Sequence, residues 1–106
     1  MNWLYLFVAG LFEIGWPLGF KLADVYSKWH LFWILFSIIA MALSGIFLFY
    51  AQKNIPIGTA YAIWTGIGTI GTFLIGIIFF NDVLSMMRVL GVLLIVSGIV
   101  VLKISA

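Results

Sequence analysis

Gly10-Leu11-Phe12-Glu13-Ile14-Gly15-Trp16-Pro17 sits in the middle of an apolar run from Trp3 to Phe20 that carries no other charge. A run of this length, wound as a helix, crosses most of the roughly 30 Å hydrocarbon core of a bilayer. Glu13 follows Trp3 by ten residues, about 15 Å along a helix axis, which puts its carboxyl group near the membrane midplane. An acid there costs about 2.5–3.5 kcal/mol on insertion scales, and such residues face a cavity and mark an ion or proton path. The alternative is a protonated glutamate that glues two helices together. That contact is worth only about 0.6–2 kcal/mol, less than the insertion cost.

Outward from this stretch the chain repeats the apolar pattern. Leu31–Ala51, Ile57–Phe80 and Leu84–Leu102 are further spans, separated by Ala23–His30, Gln52–Pro56 and the Asn81-Asp82 turn. With 106 residues, 66% hydrophobic and 8% charged, the whole chain (1–106) is used up by a four-helix transmembrane domain of the all-α class. The first run lacks a basic n-region and a small-residue cleavage site, so it reads as a retained helix with position 1 as the mature start. The scattered bases form no stripe for nucleic acid. Without cysteine there is no disulfide framework or thiolate site, and His30 alone builds no metal centre. No nucleotide loop or nucleophile–base pair is present, so neither ATP-driven pumping nor enzymatic turnover has a basis here, and no cofactor is implied.

Short connectors make neighbouring helices antiparallel, with both termini on one side of the bilayer. Lys53 and Lys103 fall on that side, and Lys21, Lys28 and Arg88 on the other. Orientation by positive charge is therefore nearly balanced, which permits insertion both ways and an antiparallel dimer. One carboxylate among four helices does not enclose a water-lined path, whereas two chains would place two Glu13 residues in a shared cavity.

Gly10, Glu13, Trp16 and Pro17 share one stripe of the first helix. Small, acidic and aromatic side chains in that order can line a cation pocket, although Trp16 by itself could equally be a packing aromatic. Pro17 frees the carbonyl of Glu13 from the backbone ladder and reads as a kink. On the third helix Tyr61 and Trp64 share a face and can hold a cation by quadrupole attraction, the competing role being interfacial anchoring. Ser44 can donate to a carboxylate, yet serines in membrane helices commonly bond back to their own helix. Gly58, Gly66, Gly68, Gly71 and Gly76 allow close contact or bending of the third helix, and Gly91 with Gly98 reads as a helix–helix seam at a dimer interface.

These residues together resemble the small multidrug resistance family, and within it the guanidinium exporter subtype. The resemblance spans all four helices. It is carried by Gly10–Trp16 with Lys21, by Pro56-Ile57-Gly58-Thr59-Ala60-Tyr61-Ala62-Ile63-Trp64-Thr65-Gly66-Ile67-Gly68, and by Gly91 and Gly98 before Leu102-Lys103. It implies that Glu13 binds substrate and protons in competition, that Trp16, Tyr61 and Trp64 line its pocket, and that Ser44 is the hydroxyl partner of the glutamate. Gly10 and Trp16 look like the guanidinium subtype. The implied assembly is an antiparallel dimer in a bacterial inner membrane, a homodimer by preference, with a heterodimer of sister chains as the alternative. The chain departs from the family pattern at Pro17, in the first connector at Ala23-Asp24-Val25-Tyr26, and at Asn81-Asp82.

The expected activity is proton-coupled export of guanidinium-type cations. A planar guanidinium presents its donors in a fork that matches a carboxylate. The rivals are a multidrug exporter of quaternary ammonium and aromatic cations, a non-transporting partner subunit of a heterodimeric pair, and, more weakly, a channel, for which a single acid makes a poor selectivity ring.

Overall fold

The computed structural model describes residues 2–105; Met1, expected to be the mature start, and Ala106 lie outside the described residues. The chain folds as α1 (Asn2–Val25), a single 3₁₀ turn (Ser27–Trp29), α2 (His30–Ala51), α3 (Ile57–Phe80) and α4 (Met86–Ser105). All four helices are long and apolar enough to cross a membrane, and the described residues contain no strand.

Three boundaries differ from expectation by two residues or more: the end of α1, the start of α4, and the end of α4, which runs on to Ser105 instead of Leu102. α1 does not stop near Phe20 but runs on to Val25, because Lys21, Leu22 and Ala23 are good helix formers and charge does not break a helix. It ends where the Tyr26 N–H makes its last bond to the Leu22 carbonyl at 2.8 Å. α4 begins at Met86 rather than Leu84, because the Ser85 hydroxyl accepts the Arg88 N–H at 3.2 Å and caps the first turn. Pro56 stands just ahead of α3 with ψ 137°, and its carbonyl takes the first helical bond from Ala60 at 2.9 Å. Asn81, at φ 57°, closes the other end of α3 in the left-handed conformation that asparagine tolerates, which brings the Asp82 N–H to the Gly76 carbonyl at 3.0 Å.

α1 is the central helix. It packs along α2 on one flank and α3 on the other, while α4 packs mainly on α3, reaches α1 through Lys103 over the Trp3 ring at 4.6 Å, and buries none of its residues. Leu6, Ala51, Ile55, Ala60 and Ile63 form the core, at the end of the bundle that holds the α2–α3 connector. The α1–α3 seam is close because α3 offers no side chain where α1 does: a Cβ on Gly68 would lie 2.5 Å from Glu13 Cγ. The α1–α2 seam is set by hydroxyls instead. Ser37 donates to the Trp16 carbonyl and Ser44 to the Ala9 carbonyl, both at 2.8 Å, so two buried serines seven apart on α2 meet two carbonyls seven apart on α1. The Trp16 and Ala9 carbonyls thereby gain a partner from a neighbouring helix. Large apolar side chains such as Leu31, Ile57, Phe79 and Met86 face outward, as lipid-facing side chains do. α1 stays helical through Pro17.

Candidate functional site

Glu13 is partly buried where α1 passes between α2 and α3. Its Oε1 accepts the indole N–H of Trp16, one turn on, at 2.6 Å. A donor that close to a carboxylate makes a strong, charge-assisted bond, and it fixes which oxygen points along α1. The indole approaches through its N–H edge, so Trp16 acts on the carboxylate as a hydrogen-bond donor, and its ring packs edge-on to Phe20 with centroids 5.9 Å apart.

Ser44 stands at the junction of the three helices. Its Oγ accepts the Trp64 indole N–H at 2.8 Å, lies 2.8 Å from the Ala9 carbonyl and lies 3.5 Å from Glu13 Oε1. A hydroxyl has one proton, and the shorter contact claims it. Ser44 is thus bonded first to Ala9, with Glu13 at the limit of its reach. The serine does not bond back to its own helix; it reaches the carboxylate and shares its hydroxyl with the Ala9 carbonyl. Trp64 reaches Glu13 only through Ser44.

The remaining expected residues are placed differently. Gly10 is buried against Ile67, whose Cγ2 would be 2.6 Å from an added Cβ, so within the chain it serves helix approach. Tyr61 is 59% exposed, lies tilted at 55° against Trp64 with ring centroids 5.4 Å apart, and makes no hydrogen bond to Glu13. Gly91 and Gly98 face open space, since an added Cβ at either meets nothing within 4 Å. They form no seam inside this chain. Of the α3 glycines, Gly66 meets Ile99 of α4, Gly71 meets Ile14, Gly76 is covered by Asp82, and Gly58 is open.

Facing Glu13 from α3 are residues that the motif reading passed over. A groove beside the carboxylate is lined by Glu13, Pro17, Thr65, Gly68, Thr69 and Thr72. Glu13 rests over Gly68, with Thr65 one turn before it and Thr72 one turn after. The 65, 69, 72 spacing of hydroxyls was a readable signal in an otherwise apolar helix. Among the described residues, no hydrogen bond is made to Glu13 Oε2. One carboxylate oxygen is therefore held and the other is free to take a proton or a cationic ligand.

The profile of the family described as Small Multidrug Resistance protein matches residues 1–95. The guanidinium exporter of Proteus vulgaris is 45% identical over 106 residues, covering all of both chains. That of Yersinia pseudotuberculosis serotype I (strain IP32953) is 42% identical over 106 residues, again covering both in full. That of Escherichia coli (strain K12) is 40% identical over 105 residues, 99% of this chain and 98% of the relative. A four-helix membrane chain with one mid-helix carboxylate, matched by the family profile over nearly its whole length and by relatives from end to end, belongs to the small multidrug resistance family.

Proposed function

We propose that this chain exports guanidinium-type cations in exchange for protons, with Glu13 binding either one but not both. It is a multi-pass protein of the bacterial inner membrane. The relatives named as guanidinium exporters support the substrate class. The observation that carries the mechanism is the divided carboxylate: Oε1 is tied to Trp16 at 2.6 Å, and Oε2 has no hydrogen bond from the described residues.

In an apolar surround a bare carboxylate is costly, so it is relieved by a proton or by an organic cation. Arrival of a guanidinium releases the proton, and arrival of a proton releases the guanidinium. If the carboxylate changes the face of the membrane it opens to only when one of them is bound, transport of one drives transport of the other. Trp16 keeps the carboxylate in one orientation throughout, and Ser44 joins Trp64 to the same junction.

The chain works as a dimer in this reading. Tyr61 does not reach the Glu13 of its own chain, so a role for it in the pocket needs a second chain. The open faces at Gly91 and Gly98 are where that chain would pack. A homodimer is preferred, and a sister chain is the alternative.

The test is electrophysiology or pH-dye recording on proteoliposomes holding this chain alone. A guanidinium gradient should move protons the opposite way, Glu13→Gln should abolish the exchange, and tetrapropylammonium should be a poorer substrate. With one proton competing at one site, apparent guanidinium affinity should weaken as pH falls, by up to about tenfold per unit. Binding that is indifferent to pH, or exchange that survives Glu13→Gln, would refute the proposal. Exchange that appears only when a sister chain is added would favour the heterodimer.

A further inference from the structure

We propose that Thr65 and Thr69 of α3 make the groove beside Glu13 selective for cations that carry N–H donors, because their hydroxyls are held as acceptors only. The inference rests on the guanidinium reading above and adds a second set of recognition groups to it.

The argument begins with proton bookkeeping. Thr65 Oγ1 donates to the Tyr61 carbonyl at 2.7 Å, and Thr69 Oγ1 donates to the Thr65 carbonyl at 2.8 Å. A threonine hydroxyl has one hydrogen and two lone pairs, so once the hydrogen is committed to the backbone, the hydroxyl presents only lone pairs outward. Both threonines line the same groove as Glu13, with Pro17, Gly68 and Thr72 completing it. Pro17 has no N–H, and Gly68 offers no side chain.

The placement is set by helix geometry. Glu13 Cγ sits against the bare Cα of Gly68, so the carboxylate crosses α3 at that residue. Thr65 and Thr69 are four residues apart on one face of α3, with Thr65 one turn before Gly68, and both line the groove that Glu13 lines. Glu13, with its free Oε2, and the two threonines line one groove, so all three offer acceptors to an occupant of it.

A guanidinium ion is the complement of such a surface. It carries donors around its plane and no acceptor, so after it forks onto a carboxylate it still has N–H groups to satisfy. Unsatisfied in an apolar groove, each would be costly. A quaternary ammonium has no N–H and gains nothing from the threonines. The groove thus discriminates by hydrogen bonding, which separates two cations of the same charge better than an apolar wall does. The competing explanation is that the back-bonds only silence a polar hydroxyl within a membrane helix.

The experiment uses the full chain in proteoliposomes and measures KM and maximal rate for guanidinium, and inhibition of that exchange by tetrapropylammonium, for wild type, Thr69→Val, Thr69→Ser and Thr65→Val. Valine keeps the shape and removes the acceptor, while serine restores it. Thr69→Val should raise the guanidinium KM about 3- to 10-fold with little change in maximal rate, and Thr69→Ser should stay within about 2-fold of wild type. Tetrapropylammonium inhibition should be unchanged. Thr65→Val, expected to act in the same direction, keeps the test decisive if Thr69→Val does not elute as a folded protein. Unchanged KM in both valine variants, equal loss in valine and serine variants, or equal weakening of tetrapropylammonium would overturn the inference. Wild type that fails to exchange guanidinium for protons overturns the functional reading itself, a result distinct from these.

Discussion

Gly68→Ala tests whether the α1–α3 contact positions the carboxylate. The added methyl would lie 2.5 Å from Glu13 Cγ and 3.2 Å from Glu13 Cβ. Non-bonded carbons settle at about 3.5–4.0 Å, so relief of roughly 1 Å or more is required. Neither atom is the loose end of a long chain. Both lie in the stem of Glu13, and moving that stem by 1 Å would stretch the 2.6 Å bond from Trp16 beyond hydrogen-bond range. The strain has two exits. If Glu13 yields, exchange should fall on the order of 100-fold, as for other 1 Å displacements of a reacting group. If the helices separate instead, the fold should lose about 1–3 kcal/mol, the usual cost of overpacking. Gly45→Ala is the matched control, since a Cβ there meets nothing within 4 Å. Its exchange and stability should equal or slightly exceed those of wild type. The assay is guanidinium–proton exchange in proteoliposomes, paired with thermal unfolding in detergent. A Gly68→Ala protein with wild-type exchange and wild-type stability would refute the reasoning.

Three further outcomes are expected. Ser44→Ala should destabilise the chain more than Ser37→Ala: the first leaves the Trp64 N–H unpaired and removes the second bond of the Ala9 carbonyl, whereas the second removes only the added bond of the Trp16 carbonyl, a contact worth about 0.6 kcal/mol; comparative unfolding in detergent reads the difference. Trp16→Phe keeps an aromatic ring but removes the donor to Oε1, and guanidinium titration should show affinity reduced about tenfold, the scale of a hydrogen bond to a charged group. Gly98→Leu meets open space within the chain, so helix content should be unchanged, while sizing in detergent should show loss of the proposed dimer together with loss of exchange.

Much of the site was open to reading because its signals are local. The cost of a mid-helix carboxylate depends on depth alone, and the bond between Glu13 and Trp16 needs only the three-residue spacing that places them on one face. Residues whose role depends on how helices meet were less legible. Ser44 was recognised as a hydroxyl near the carboxylate, but its bonds to Ala9 and Trp64 depend on the register of α2 against α1 and α3. Tyr61, grouped with Trp64 by spacing, shares its ring contact but not its link to the junction, since one helical turn separates an exposed position from a half-buried one.

Sequence by itself determined that four helices cross the membrane and that one of them carries a carboxylate at its centre, because apolar length and the cost of a buried charge follow from composition along a single helix. It marked Gly68 as a small residue without saying what would fill the space, and it listed Thr65, Thr69 and Thr72 without a partner. Only the tertiary structure decided that Glu13 lies across Gly68, in a groove that Thr65, Thr69 and Thr72 also line. The reason is physical: in a bilayer every helix already satisfies its own backbone, so which faces meet is settled by close packing between helices, a property of the pair that no periodicity of one strand of sequence contains.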